Sequence, residues 1–399
     1  MITLDKIYHA KYVLSDVIRE TDVIYAPHIN EKSKIYLKTE NLQITGSFKV
    51  RGAYYKMSQL SDEEKARGVV ACSAGNHAQG VALAAQKAGI KAVICLPDGA
   101  PISKVEATKS YGAEVRLVEG VYDDAYTEAL RLRDELGYTF IHPFDDELVI
   151  EGQGTIGLEL FDQIPDMEAV LVPIGGGGLI SGVAYAIKAL KPSIKVYGVQ
   201  AAGAPSMRSS LSSGSILSLD SVSTIADGIA VKKPGEHTFE MVSKYVDDVV
   251  TVTDDEISAA ILALMEQQKL VTEGAGACAA AAAMFDKVPV QGKKTVCLLS
   301  GGNIDVTILS RVIKRGLLMS GRICQFTIEL IDKPGQLELV AHTIASLGGN
   351  VTSVHYEHAN AGQDVNGCFI RLELETRNHA HIEEIRSALL KKGLNIVNG

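Results

Sequence analysis

From residue 69 onward, short uninterrupted apolar runs trade places with segments of helical period. No other feature constrains the fold of this chain as much. Val69-Val-Ala-Cys-Ser73 reads as a strand buried on both faces, residues 78–88 as a helix, and Ala92-Val-Ile-Cys-Leu96 as the next strand. The rhythm continues through 103–111, 113–118, 125–136 and 138–142, then returns at 169–172, 179–190, 195–199 and 295–299. Strands that are apolar throughout, rather than at alternate positions, belong to parallel sheets covered by helices on both faces. The expected class is α/β, with two open parallel-sheet lobes and a cleft between them. The smaller lobe spans approximately residues 45–150.

After residue 318 the pattern changes. A strand at 323–330, a helix at 335–347, strands at 351–358 and 366–375, and a helix at 381–392 make a βαββα unit of the ferredoxin-like kind. This predicts a catalytic part over 1–318 and a separate small domain over 323–399, joined at residues 319–322.

A chain of 399 residues is long enough for two or three domains. Its 39 basic and 48 acidic residues leave a net charge of −9, which argues against a general binder of nucleic acid or anionic membranes. The charged N-terminal stretch Met-Ile-Thr-Leu-Asp-Lys and the lack of an apolar run near the ~18 residues of a membrane span point to a cytoplasmic protein. Six cysteines without CxxC spacing read as small apolar core residues.

Three short motifs follow strands, at the carboxyl edge where open α/β sheets gather ligands. Gly175, Gly176, Gly177 and Gly178 lie between a strand and the helix that starts at Leu179, and successive backbone N–H groups at such a helix start suit a phosphate. The run is neither a Walker A loop nor a GxGxxG fingerprint. Ser73-Ala-Gly-Asn-His77 has the same placement, with small polar groups for a carboxylate, although Asn76 alone would pass for a helix cap. Leu299-Ser-Gly-Gly-Asn303 leaves the neutral hydroxyl of Ser300 at a third strand end. Lys49, in Gly46-Ser-Phe-Lys-Val-Arg-Gly52, adds a primary amine two residues before Arg51. An amine in a desolvated site near cationic partners has the lowered pKa that a nucleophile needs.

Together, and in this order, the four motifs resemble those of the pyridoxal-phosphate enzymes of the tryptophan-synthase-β-like fold, and among them the threonine/serine dehydratases. The resemblance implies that Lys49 links covalently to pyridoxal 5'-phosphate and that Phe48 lies against its ring. It implies that Asn76 bonds the ring hydroxyl, Gly175–Leu179 the phosphate, and Ser300 the ring nitrogen. Ser73, Ala74, Gly75 and His77 then face the substrate carboxylate. A serine at the ring nitrogen leaves the ring a weaker electron sink, which suits prompt elimination over transamination.

The implied reaction is that of a carbon–nitrogen lyase: deamination of L-threonine to 2-oxobutanoate and ammonia, and of L-serine to pyruvate. Serine racemases similar to this family carry a serine where Ala74 stands, so a racemase or serine dehydratase is the alternative enzyme reading, and an amino-acid sensor the non-enzyme one. The racemases' cation ligands are missing at residues 199–206, so no metal is expected. The tail, with Asp332-Lys-Pro-Gly335 between its first strand and helix, resembles an ACT domain. It implies an amino-acid or nucleotide effector and a homodimer or homotetramer. Its single copy favours a catabolic over a biosynthetic role.

Overall fold

The apolar runs form parallel ladders. In the computed structural model, which describes residues 1–100, 102–358 and 367–398, the chain divides between Ile308 and Leu309 into two compact units. The strands of the first are Val23–Tyr25 (β1), Lys34–Lys38 (β2), Val69–Cys72 (β3), Ala92–Pro97 (β4), Glu114–Val118 (β5), Thr139–Phe140 (β6), Ala169–Pro173 (β7), Lys195–Ala201 (β8), Asp248–Val252 (β9) and Lys294–Leu298 (β10). They make a small sheet in the order β5-β4-β3-β6, parallel throughout, and a larger one in the order β1-β2-β10-β7-β8-β9. In the larger sheet only β1 runs antiparallel.

The small sheet shows why its strands need no polar face. Val69 and Ala71 of β3 pack with Ala53, Met57, Ala78 and Val81 from the helices Lys49–Ser58 and Asn76–Ala88. The alternate residues Val70 and Cys72 pack with Ala125, Ala129 and Leu132 of the helix Tyr122–Leu136. Each valine, leucine or methionine among them contributes about 1.5–3 kcal/mol on full burial. In the large sheet Val170 and Val172 of β7 meet Ile180, Val183 and Ile187 of the helix Gly178–Leu190. The alanine-rich helix Gly274–Met284, entirely buried up to Ala283, lies against β7, β8, β9 and β10; its small side chains permit the close approach. All six cysteines are buried and free, in keeping with their reading as small core residues.

The second unit contains Ile323–Ile331 (β11), Asn350–His358 (β12), Gly367–Glu375 (β13) and Asn395–Asn398 (β14) in one antiparallel sheet of order β12-β13-β11-β14. Helices Gln336–Ser346 and His379–Lys391 pack on it, with Phe326, Ile328, Ile344, Ile370, Ile385 and Leu389 as the core. The last strand, only four residues long, completes a βαββαβ unit that the tail's pattern had ended at its second helix. The Gly-containing connection expected before β13, together with Asn366, lies outside the described residues. Among the described residues, no helix is long and apolar enough to cross a membrane.

Candidate active site

The site begins with a short backbone zipper. The loop before Lys49 runs antiparallel to the loop after β10: Phe48 N–H donates to the Ser300 carbonyl at 3.2 Å, Gly302 N–H to the Gly46 carbonyl at 2.8 Å, and Ser47 bridges Gly301. Two segments 250 residues apart thus hold Lys49 and Ser300 side by side. Gly46 takes φ +69°, a left-handed turn that a side chain would strain, and a Cβ there would fall 2.3 Å from Asn303 Oδ1.

The glycine run is located by helix packing. Gly178 opens its helix and Gly177, at φ +101°, precedes it. A Cβ on Gly178 would fall 2.7 Å from the Phe144 carbonyl oxygen, and one on Gly176 2.4 Å from the Phe144 ring, so glycine alone lets the turn sit on Phe144. The N–H groups of Gly178 and Leu179 belong to a first helical turn and have no intrahelical acceptor. The Leu179 side chain itself is core. The helix Glu147–Gln163 connects this turn to Lys49. Its Gly152 meets Gly52 of the Lys49 helix backbone to backbone, and its Gly154 meets Gly182 of the glycine-loop helix in the same way.

Lys49 is half-buried; its Nζ donates to the Pro143 carbonyl at 2.8 Å and lies 5.3 Å from the centroid of the Phe48 ring. Burial lowers its pKa from 10.5 to about 8, against the opposing attraction of Glu273. The lowering leaves far more neutral amine at neutral pH than an ordinary lysine has. The sequence had suggested cationic neighbours as a cause. Arg51 instead points into a sealed ion cluster, where it donates to Glu40 (2.9 and 2.8 Å) and Glu159 (2.5 and 2.9 Å), and it plays no part in the shift. Its role is to anchor the Lys49 helix.

Asn76 opens its helix after β3. Its Nδ2 donates to Glu273 Oε1 at 2.7 Å, and its Oδ1 accepts from Asn303 Nδ2 at 2.8 Å. Asn303 also donates to the Thr45 carbonyl, so one side chain ties the Lys49, Asn76 and Ser300 loops together. Ser73, Ala74 and Gly75 line the same turn; Ser73 Oγ accepts from Gly75 N–H at 3.1 Å, the Ala74 methyl packs on the small-lobe core, and the Cα of Gly75 faces open space. The His77 ring turns inward: Nε2 donates to the Ile141 carbonyl at 2.8 Å, and burial pushes the ring pKa down to about 3, so the imidazole stays neutral. Only its backbone N–H, at the helix start, is available to a ligand. Glu273, Phe144 and Pro143 were missed in the sequence; none belongs to a recognisable motif.

Fold and site define a two-lobed α/β enzyme built around a cleft lysine. Residues 14–301 match the family model described as "Pyridoxal-phosphate dependent enzyme". A protein of Thermotoga maritima named L-threonine ammonia-lyase is 50% identical over 398 residues, covering 99% of each chain. Among solved structures, maize serine racemase superposes with a TM-score of 0.75 at 37% identity, over 80% of this chain and 98% of that one. The processed form of threonine deaminase isoform 2 from Solanum lycopersicum gives 0.74 at 40%, over 79% and 89%. The chain belongs to the pyridoxal-phosphate dependent enzymes. Its residues fit that cofactor in kind: a lowered-pKa amine for the aldehyde, a glycine turn at a helix start for the phosphate, and the hydroxyl of the buried Ser300, just after β10, for the ring nitrogen.

Proposed function

We propose that this protein is an L-threonine ammonia-lyase, converting L-threonine to 2-oxobutanoate and ammonia and, less efficiently, L-serine to pyruvate. The observation that carries the reading is the Lys49 amine, held neutral enough by burial to act as a nucleophile and a base beside a glycine turn. Phe48 supports the ring of the cofactor, Asn76 bonds its hydroxyl, Gly175 to Leu179 hold its phosphate and Ser300 its ring nitrogen. When bound, pyridoxal phosphate supplies an aldehyde that captures amino groups and a ring that acidifies the neighbouring Cα–H bond. Ser73 and the backbone N–H groups of Gly75, Asn76 and His77 hold the substrate carboxylate. Lys49 Nζ removes the Cα proton and returns it to the β-hydroxyl, which departs as water, and the released enamine takes up water to give the 2-oxo acid and ammonia.

The serine-racemase reading is weaker at one residue. A second proton carrier is needed across from Lys49, and Ala74 offers a methyl group. We assign catalysis to residues 1–318 and a regulatory or assembly role to an ACT-like domain over 323–399, binding an amino acid or nucleotide in a homodimer or homotetramer. The βαββαβ order of the second unit supports this. Purified protein supplied with pyridoxal phosphate should release 2-oxobutanoate from L-threonine faster than pyruvate from L-serine. Release of neither, with the cofactor bound, overturns the proposal. Titration of amino acids and nucleotides against that rate identifies the effector.

A further inference from the structure

Glu273 carries a buried carboxyl that no step above uses. It stands at the N-cap of the helix Gly274–Met284, and its side chain makes no hydrogen bond to that helix's N–H groups. It accepts instead from Asn76 Nδ2, at 2.7 Å. Two loops close around it: a Cβ on Gly301 would fall 2.4 Å from its Oε1, and one on Gly228 3.4 Å. Its own N–H donates to the Gly301 carbonyl.

The hydrogen-bond count at Asn76 then has a single solution. Asn303 spends both Nδ2 hydrogens, on the Thr45 carbonyl and on Asn76 Oδ1. Oδ1 of Asn76 must therefore face Asn303, and Nδ2 must face Glu273. One Nδ2 hydrogen goes to the carboxylate and one remains. We propose, on the basis of the function assigned above, that Glu273 is a positioning residue: its carboxyl locks the Asn76 amide so that the remaining hydrogen serves the group bound at Lys49, and couples its own charge to that group.

The charge surroundings support this. Burial, then the nearby Asp227 carboxylate, raise Glu273, while Asn76's hydrogen bond, Lys104 and Lys49 hold it down; the result is about 7. Cys278, on the same helix, is kept neutral by burial. Glu273 therefore changes charge near neutral pH, and the change lies one amide away from the cofactor's ring.

The test uses full-length holoenzyme and follows the absorption of the bound cofactor from pH 5.5 to 8.5. Wild type should show a pH-dependent spectral step, and E273Q, which keeps an acceptor but cannot titrate, should lack it. E273A should release cofactor about tenfold faster, the loss expected for one hydrogen bond to a charged group. G301A, whose Cβ would crowd the Glu273 carboxyl and, at 3.1 Å, Asn76 Nδ2 while leaving every charge in place, should move the midpoint and serves if E273Q does not fold. Identical titrations in wild type and in E273Q or G301A overturn the inference. A wild-type protein with no cofactor on Lys49 overturns the proposed function as well, so the two failures are distinct.

Discussion

Glu159→Gln is expected to destabilise the catalytic unit far more than its conservative appearance suggests. Glu159 accepts twice from Arg51 and once from Lys38 Nζ, at 2.6 Å, all in a region from which water is excluded. With Glu40 the cluster holds two cations and two anions. Glutamine keeps the volume but leaves one buried positive charge uncompensated, and its NH2 group turns a donor toward donors. Breaking a buried ion pair in this way costs about 3–5 kcal/mol, against a typical total of about 5–15 kcal/mol. With a urea m-value of about 3 kcal/mol/M, the midpoint should fall by about 1 M or more. Unfolding is followed by far-UV circular dichroism, since the chain has no tryptophan. The control is Asp162→Asn, which breaks the exposed Lys11–Asp162 pair and should cost less than about 1 kcal/mol. An E159Q midpoint equal to that of D162N would mean that the buried cluster contributes no more than the exposed pair.

Further outcomes follow from the site. The rate at which apoenzyme takes up pyridoxal phosphate should rise with pH and reach half its maximum at about 8, because Lys49 must lose a proton first and burial favours that loss; a rate still climbing at pH 10 would count against it. Glu40 is pushed up by burial but held lower overall by Arg51, with help from Lys38 and Thr21. Its folded pKa is thus depressed, so its stabilisation should be complete above the ordinary carboxylate range and vanish as pH falls below it, which acid-unfolding curves of wild type and E40Q would show by converging. Gly178→Ala places a Cβ 2.7 Å from a backbone carbonyl and should cost about 1–3 kcal/mol and weaken cofactor binding, measurable by thermal melts and equilibrium dialysis. Ala74→Ser should introduce D-serine formation from L-serine, detectable by chiral chromatography.

Local chemistry was legible in the sequence, and long-range chemistry was not. A strand running into glycines and then a helix states its geometry within ten residues, so the turns at Gly175, Asn76 and Ser300 could be placed before any fold was known. The strands β2 and β9 went unread because their apolar content is short and interrupted, as in Lys34-Ile-Tyr-Leu-Lys38. Arg51 looked like a site cation beside Lys49, but a helix turns successive side chains by about 100°, and its partners Glu40 and Glu159 are recognisable only once three segments meet. Glu273 stands among alanines and glycines with nothing to distinguish it, and its importance comes wholly from a contact 197 residues away. The inward turn of the His77 ring is likewise set by the carbonyl of Ile141 and not by its motif.

The central claim is that Lys49 carries the cofactor. Holoenzyme reduced with borohydride and digested with trypsin should place the phosphopyridoxyl mass on the peptide from Thr39 to Arg51, uncut at Lys49, and K49A should carry no such mass and release 2-oxobutanoate only at background. A label on any other lysine, or K49A turning over L-threonine at the wild-type rate, would contradict the claim.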